Sequence, residues 1–177
     1  MQVLSTASAH LPLARQSRYS WHVGERTIEI AISDSGGSGP AWLLLPALST
    51  ISSRREWQPF ADALGEGQAS PTAAPPPRLI TIDWPGFGES DRPRIAYNAE
   101  LMARCLVDVR RDLCPADCGV IAAGHAAGIA LLAAERHGLA FRDWILVAPT
   151  WRGPFPTMAG RRSRAFPVLL NATQLTV

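Results

Sequence analysis

The hydrophobic residues of this chain fall into short continuous runs, separated by longer stretches in which they recur every three or four positions. The runs occupy Ala41–Leu45, residues 120–123 and Trp144–Val147, and a fourth, at residues 79–83, is interrupted by Thr81 and ends at Asp83. An apolar run of four or five residues is typical of a strand buried on both faces, as in a parallel sheet. We therefore expect four buried strands of this kind.

Two more strands are predicted near the start of the chain, at residues 19–23 and 27–32, joined by a turn at Gly24. Isoleucine occupies every second position of the latter segment, which places one apolar face toward a core. Residues 33–40 are rich in Ser and Gly, and this composition predicts a loop.

Apolar residues at helical spacing predict helices between the strands. One lies around Trp57 and Leu64, a second spans residues 98–114, and a third follows residue 123 and ends near His137. The apolar face of the second consists of residues four apart, namely Leu101, Cys105, Val109 and Leu113. Residues 65–78 form a Pro- and Ala-rich connection, expected to be a flexible surface insertion. Strands that alternate with helices predict an α/β fold, a mainly parallel sheet with flanking helices.

Length and composition restrict the classes of protein further. The chain has 177 residues, 47% of them hydrophobic, and a formal charge of +2, which suits one globular domain and gives no indication of nucleic-acid binding. No apolar run approaches the roughly 20 residues that span a bilayer. The three cysteines match no zinc or redox motif, so buried free thiols in a cytoplasmic protein are expected. An organelle transit peptide is the less favoured interpretation of the N-terminus.

These patterns divide the chain into three parts. Residues 1–18 are expected to be a flexible N-terminal segment, residues 19–150 the folded core, and residues 151–177 a tail or the start of a lid-like segment.

Three motifs follow predicted strands in a fixed order. Residues 43–48 read LLLPAL, residues 83–93 read DWPGFGESDRP, and residues 124–128 read GHAAG. The last lies between a strand and a helix, where G-x-S-x-G forms the nucleophile elbow of α/β-hydrolases. Together the motifs resemble the N-terminal part of an α/β-hydrolase, truncated and with Ala126 in place of the nucleophilic serine.

The resemblance implies an active site, and the chain departs from that site at each catalytic position. A methyl group at residue 126 cannot attack a carbonyl. The family's acid and histidine follow the nucleophile in the chain, yet no Asp, Glu or His occurs after Asp143. An oxyanion hole needs only backbone N–H groups, here expected from Ala127 and from Leu48 or Ala47. Gly124, His125 and Gly128 complete the expected elbow.

Other polar residues near these motifs have structural explanations. His125 is expected to pack against the sheet and form a local hydrogen bond, and Ser90 to stabilise a turn. Asp83 and Asp91 are expected to bind backbone amides of the Gly-Phe-Gly turn rather than a metal ion. A dinucleotide site would need a third glycine where Asp91 stands. We therefore expect neither metal nor cofactor.

Three hypotheses for function remain open. The chain is a catalytically inactive hydrolase-like protein that binds a ligand, such as an ester-like or acyl small molecule, or a protein partner. Alternatively, it is a fragment or a Ser→Ala form of an esterase- or lipase-like enzyme that acts by acyl transfer. In the third hypothesis, an open sheet edge makes it a non-catalytic assembly component that associates with itself or another protein.

Overall fold

The structure is a computed structural model, and it describes residue 13 and residues 15–49, 51–67 and 74–150. Within these residues one sheet has the spatial strand order β1-β2-β4-β3-β5-β6. The strands are β1 Arg15–Val23, β2 Arg26–Asp34, β3 Ala41–Leu45, β4 Arg78–Ile82, β5 Gly119–Ala123 and β6 Trp144–Val147. β1 and β2 are antiparallel to their neighbours, whereas β3 to β6 are mutually parallel. The predicted α/β class with a mainly parallel sheet is confirmed.

The four continuous apolar runs form the four parallel strands, each within one residue of its predicted ends. Leu43 in β3 pairs with Ile80 of β4 on one side and with Val120 of β5 on the other. All three side chains are at most 1% exposed, because α helices cover the sheet at this point.

β6 departs from its predicted burial. Ile145 is 45% exposed and Val147 is 46% exposed. Among the described residues β6 pairs only with β5 and ends the sheet on that side. Within the described residues, the face that carries these two side chains is only partly covered, although the sequence of the strand is as apolar as that of a buried one.

The hairpin of β1 and β2 is longer than the sequence predicts. β1 begins at Arg15 rather than at residue 19, and β2 continues through Ser33 and Asp34, which were expected in a loop. Asp34 pairs with Arg15 across the hairpin and with Ile80 of β4, so the strand ladder extends beyond the apolar residues. Backbone pairing on both sides explains why polar residues remain in the strand.

Helices connect the parallel strands. A 3₁₀ helix, Arg54–Trp57, precedes α1 Gln58–Gly67, and the longer helices are α2 Ala99–Leu113 and α3 Gly124–His137. α1 includes the first residues of the predicted insertion at 65–78, of which residues 68–73 lie outside the described part of the chain, as does the predicted tail at 151–177.

α2 begins and ends within one residue of its prediction. The side chain of Asn98 accepts a hydrogen bond from the Leu101 N–H at 2.9 Å, which caps the helix. Cys105 and Val109 are fully buried, as expected. Leu101 and Leu113 are only half-buried, because Met102 and Leu106 complete the core face instead.

Among the helices of the described segments, none has both the length and the apolar composition needed to cross a bilayer.

Candidate functional site

The three sequence motifs meet at one edge of the sheet. Each follows the carboxyl end of a parallel strand, β3, β4 or β5, and parallel strands present these ends on the same side. The Trp84 indole N–H, after β4, donates to the Pro46 carbonyl, after β3, at 2.9 Å. A Cβ atom built on Gly124, after β5, would lie 3.4 Å from the Cβ of Ala47. The edge where open α/β sheets bind ligands therefore holds the residues predicted to form a site.

The nucleophile position lies inside a helix. α3 begins at Gly124, so Ala126 is its third residue, and its side chain is 0% exposed. The nucleophile elbow of α/β-hydrolases is a strained turn, whereas Ala126 lies in regular helix here. The positive φ is at Gly124 (+53°), and within the described residues Ala148 is the only non-glycine residue with positive φ. A glycine makes the sharp turn two residues earlier without strain.

The expected oxyanion donors lie beside this helix start, but one of them is occupied. Ala127 is fully buried in α3. The Ala47 N–H donates to Oε1 of Glu56 at 2.6 Å. Leu48 is 1% exposed, and the described residues provide no acceptor for its N–H. Of the two loop donors that the sequence left as alternatives, Leu48 is thus the one that remains open.

Glu56 is a site residue that the sequence did not reveal. The residue as a whole is exposed, while its carboxyl group lies against the loop after β3. Burial raises the pKa of Glu56, and hydrogen bonds from the Ala47 N–H and from Ser52 offset this only in part. The carboxyl group of Glu56 thus lies within one peptide unit of the open Leu48 N–H.

His125 occupies the first turn of α3 with a half-buried side chain. Its Nδ1 atom is buried and has no hydrogen-bond partner among the described residues, so the predicted local hydrogen bond is not found at this atom. The other described histidines are bound elsewhere: His22 contacts Thr27 at 3.0 Å, and His137 contacts Glu100 at 3.0 Å. None of these contacts orients a base toward the nucleophile position.

A buried ion pair underlies the loop after β4. The guanidinium of Arg54, 3% exposed, binds the carboxylate of Asp83, 0% exposed. It also contacts Glu89 at 2.6 Å and donates through Nε to Ser33 at 3.0 Å. Asp83 additionally accepts the backbone N–H groups of Arg54 at 2.6 Å and Glu89 at 2.8 Å. The expected backbone-amide role of Asp83 is confirmed, and the buried arginine is an addition.

The remaining polar residues of this loop act structurally. The Ser90 hydroxyl donates to the Asp83 carbonyl at 2.7 Å and accepts from the Ala31 N–H at 2.9 Å, which confirms its predicted turn role. Asp91 accepts the Glu29 N–H of β2 at 3.0 Å. The loop is thereby attached to the hairpin, and its carboxylates are committed to protein donors.

A cavity of about 180 Å³ opens near the 3₁₀ helix, away from the expected site. Its lining consists of Leu13, Gln16, Ser33, Arg54, Arg55 and Gln58. It is smaller than the roughly 300 Å³ at which ligand pockets begin, and its buried guanidinium is already paired. The described residues contain no group of three or more His, Cys, Asp or Glu side chains placed to hold a metal ion.

Comparison with protein families gives one match that covers most of the chain. A model described as the alpha/beta hydrolase family matches residues 36–175. This range contains all three motifs. No curated protein matches the chain significantly.

Solved structures share the fold. A probable hydrolytic enzyme from Pseudomonas aeruginosa superposes with a TM-score of 0.62 at 18% identity, over 77% of this chain and 42% of that one. A bromoperoxidase from Bacillus anthracis superposes with a TM-score of 0.61 at 20% identity, over 76% of this chain and 45% of the bromoperoxidase. An N-formylmaleamic acid deformylase from Pseudomonas putida superposes with a TM-score of 0.60 at 25% identity, over 82% of this chain and 50% of the deformylase. The chain thus spans half or less of the length of each.

Proposed function

Because the chain belongs to the alpha/beta hydrolase family, we propose that its 177 residues form a catalytically inactive member that binds a small carbonyl-containing ligand. The observation that carries the proposal is Ala126 at the nucleophile position. Alanine has no group that can attack a carbonyl carbon. Its position as the buried third residue of α3 further separates it from any substrate.

The described residues place no oriented base beside position 126, and this supports the proposal independently of Ala126. His125 has an unpartnered Nδ1 among the described residues, and no carboxylate there orients it. A triad histidine needs such an acceptor to hold its tautomer and to stabilise its charged form. Among the described residues, a serine restored at position 126 would therefore lack an oriented histidine to remove its proton.

Ligand binding is proposed on the Leu48 N–H. This donor lies at the carboxyl edge of the sheet, beside the start of α3, and it is suited to a carbonyl oxygen. The Glu56 carboxyl group occupies the adjacent Ala47 N–H and would repel an anion at Leu48. The expected ligand is therefore a neutral ester, amide or ketone rather than a carboxylate.

A thermal-shift titration of the whole 177-residue chain tests the binding proposal. Neutral esters and amides are compared with the carboxylates of the same acyl chains, and each mixture is checked for hydrolysis products. We expect saturable stabilisation by neutral ligands without turnover. Glu56→Gln, which keeps an acceptor for the Ala47 N–H, should admit the carboxylates. A panel in which no neutral carbonyl compound raises the melting temperature would refute binding at this site.

Inactivity has a separate test. Ala126→Ser is incubated with a fluorophosphonate probe, which labels activated serines, and we expect no labelling above the level of the unsubstituted chain. Specific labelling of Ser at that position would overturn the proposal and favour the alternative, a Ser→Ala form of an esterase-like enzyme.

One observation favours a second candidate, a non-catalytic assembly component. Ile145 and Val147 project almost half-exposed from β6, at an edge where strands readily pair. Light scattering across a concentration series distinguishes this candidate. A defined oligomer that Ile145→Lys dissociates would support it, and a monodisperse monomer at all concentrations would exclude self-association.

A further inference from the structure

A strip of polar side chains crosses one face of the sheet beside the 3₁₀ helix. Ser33 of β2 pairs with Gln16 of β1 on one side and with Thr81 of β4 on the other. Residues that are directly opposite each other in neighbouring strands project to the same face of a sheet. The next residue in this row is Leu44 of β3, which belongs to an apolar cluster on that face. The polar strip thus borders a hydrophobic layer, and apolar packing does not account for it.

The described residues leave part of the hydrogen-bonding capacity of this strip unused. Ser33, 4% exposed, accepts a hydrogen bond from Nε of Arg54 at 3.0 Å, and no acceptor for its own O–H is found among these residues. Thr81 is 0% exposed, and its hydroxyl has no partner there. An unpaired polar group in a protein interior is costly, so such a group usually meets an ordered water molecule or an ion.

The cavity of about 180 Å³ lies at the outer end of this strip, and hydrogen-bond donors dominate its wall. The polar side chains that line it are Gln16, Ser33, Arg54, Arg55 and Gln58. Two of these side chains are guanidinium groups, and within the described residues no carboxylate belongs to the lining. Asp83 and Glu89, which pair with the two arginines, lie outside the lining. The wall of the cavity therefore presents positive charge, while the compensating negative charge lies behind it.

Both arginines keep N–H groups that no described residue accepts. A guanidinium carries five N–H donors. Arg54, 3% exposed, makes one contact each with Asp83, Glu89 and Ser33, which leaves two of its five donors. Arg55, 69% exposed, makes one contact, with Glu89, which leaves four of five. The cavity thus combines a buried guanidinium, whose position is fixed by its partners, with a solvent-exposed one at the same wall.

We propose that this cavity binds a phosphoryl group, either as inorganic phosphate or on a small phosphomonoester. Guanidinium and hydroxyl groups bind phosphate oxygens through charge-assisted hydrogen bonds. The lining donors come from β1, β2, the 3₁₀ helix and α1, and donors from several directions suit a tetrahedral anion better than a planar carboxylate. A cavity of roughly 150 Å³ is large enough for benzene, so this cavity accommodates a phosphate ion. The proposal uses none of the residues of the proposed ligand site at Leu48.

Isothermal titration calorimetry of the whole 177-residue chain with inorganic phosphate tests the proposal. Sodium chloride holds the ionic strength constant, because a change in salt concentration alone alters the screening of exposed charges. We expect saturable binding of one phosphate per chain. Methyl phosphate then distinguishes the two sources of the phosphoryl group. Binding at least as tight as that of inorganic phosphate identifies a phosphomonoester as the ligand, and weaker binding identifies the free ion.

Two variants at the cavity wall and one matched control locate the binding. Arg55→Met and Gln16→Glu each make the wall more negative by one charge, and both side chains are exposed, so circular dichroism should show the fold intact. We expect each variant to weaken phosphate binding at least about fivefold. Arg26→Met makes the same change in charge at an exposed position, at the opposite end of β2 from Ser33, and should weaken binding less than about twofold.

Two results would overturn the proposal. One is a titration in which phosphate gives no saturable heat. The other is a similar affinity in all three variants, whether unchanged or equally reduced, because phosphate would then bind elsewhere or respond only to the net charge of the chain.

Discussion

Replacing Arg54 with methionine removes the positive charge that faces Asp83 and leaves a carboxylate that is 0% exposed without its ionic partner. Breaking a buried pair by removing one member typically costs 3–5 kcal/mol, because the remaining charge stays desolvated. Asp83 keeps two backbone donors, the N–H groups of residue 54 and of Glu89. We therefore expect a loss near the lower limit, about 3 kcal/mol in the free energy of unfolding.

Urea unfolding followed by circular dichroism measures this loss. With a slope of about 1–3 kcal/mol per molar urea, the midpoint should fall by about 1–3 M while the slope stays constant. Arg54→Lys keeps a charge but loses the forked geometry of the guanidinium. Its urea midpoint should lie between those of the methionine variant and the unsubstituted chain.

Arg55→Met is the matched control. Arg55 is the adjacent residue and also pairs with Glu89, but its side chain is 69% exposed. An exposed pair contributes at most about 1 kcal/mol. If Arg54→Met lowers the midpoint no more than Arg55→Met does, burial does not increase the contribution of the Arg54–Asp83 pair to stability, and the reasoning is refuted.

Three further predictions concern other parts of the fold. Burial tends to raise the pKa of Asp34, but hydrogen bonds from Arg78 outweigh this effect and lower the pKa. The Asp34–Arg78 pair should therefore stabilise the fold above the unfolded carboxyl pKa of about 3.9. This stabilisation should be lost as the pH falls through the lower pKa of the folded state. Asp34→Asn should therefore flatten the acid limb of a stability-against-pH curve, and an unchanged limb would contradict the pair's contribution. Gly88 has φ +51°, and a Cβ atom added there would overlap the Asp83 carboxylate, whereas Gly138 has φ +65° and open space around it. In chemical denaturation Gly88→Ala should therefore lower the stability clearly more than Gly138→Ala. Equal losses of stability would show that the backbone conformation alone accounts for the effect. Asn98→Ala should cost about 1 kcal/mol of unfolding free energy while Asn98→Asp, which retains a capping oxygen, should cost little, and equal effects of the two would exclude the cap.

The sequence predicts the central strands well because burial on both faces leaves a continuous apolar run. Ala41–Leu45 and Trp144–Val147 are found at their predicted bounds. The same signal misjudges the environment of β6, since an apolar run reports composition and does not show whether anything covers the strand. Polar ends such as Ser33 and Asp34 were missed because their pairing depends on a distant strand, β4.

The candidate site could be located but not described from sequence. Motif order predicts that the loop after β3 and the start of α3 meet, and the proximity of Gly124 to Ala47 agrees with it. No local pattern indicates that Glu56 takes the Ala47 N–H or that Arg54 pairs with Asp83, 29 positions away. Both contacts arise from tertiary folding. The helical conformation of Ala126 likewise depends on Gly124, whose positive φ makes the turn two residues earlier.

The loop after β4 has a consequence for how this sequence is able to change over generations. A side chain at Gly88 would overlap the Asp83 carboxylate, and that carboxylate is itself fixed by a buried arginine. These constraints come from folding alone and persist after a nucleophile has been replaced. In a mutational scan selected only for expression, positions 83 and 88 should tolerate few substitutions while position 56 tolerates many. The loop after β4 is thus fixed by steric and ionic contacts that would limit its variation whether or not the site is catalytic.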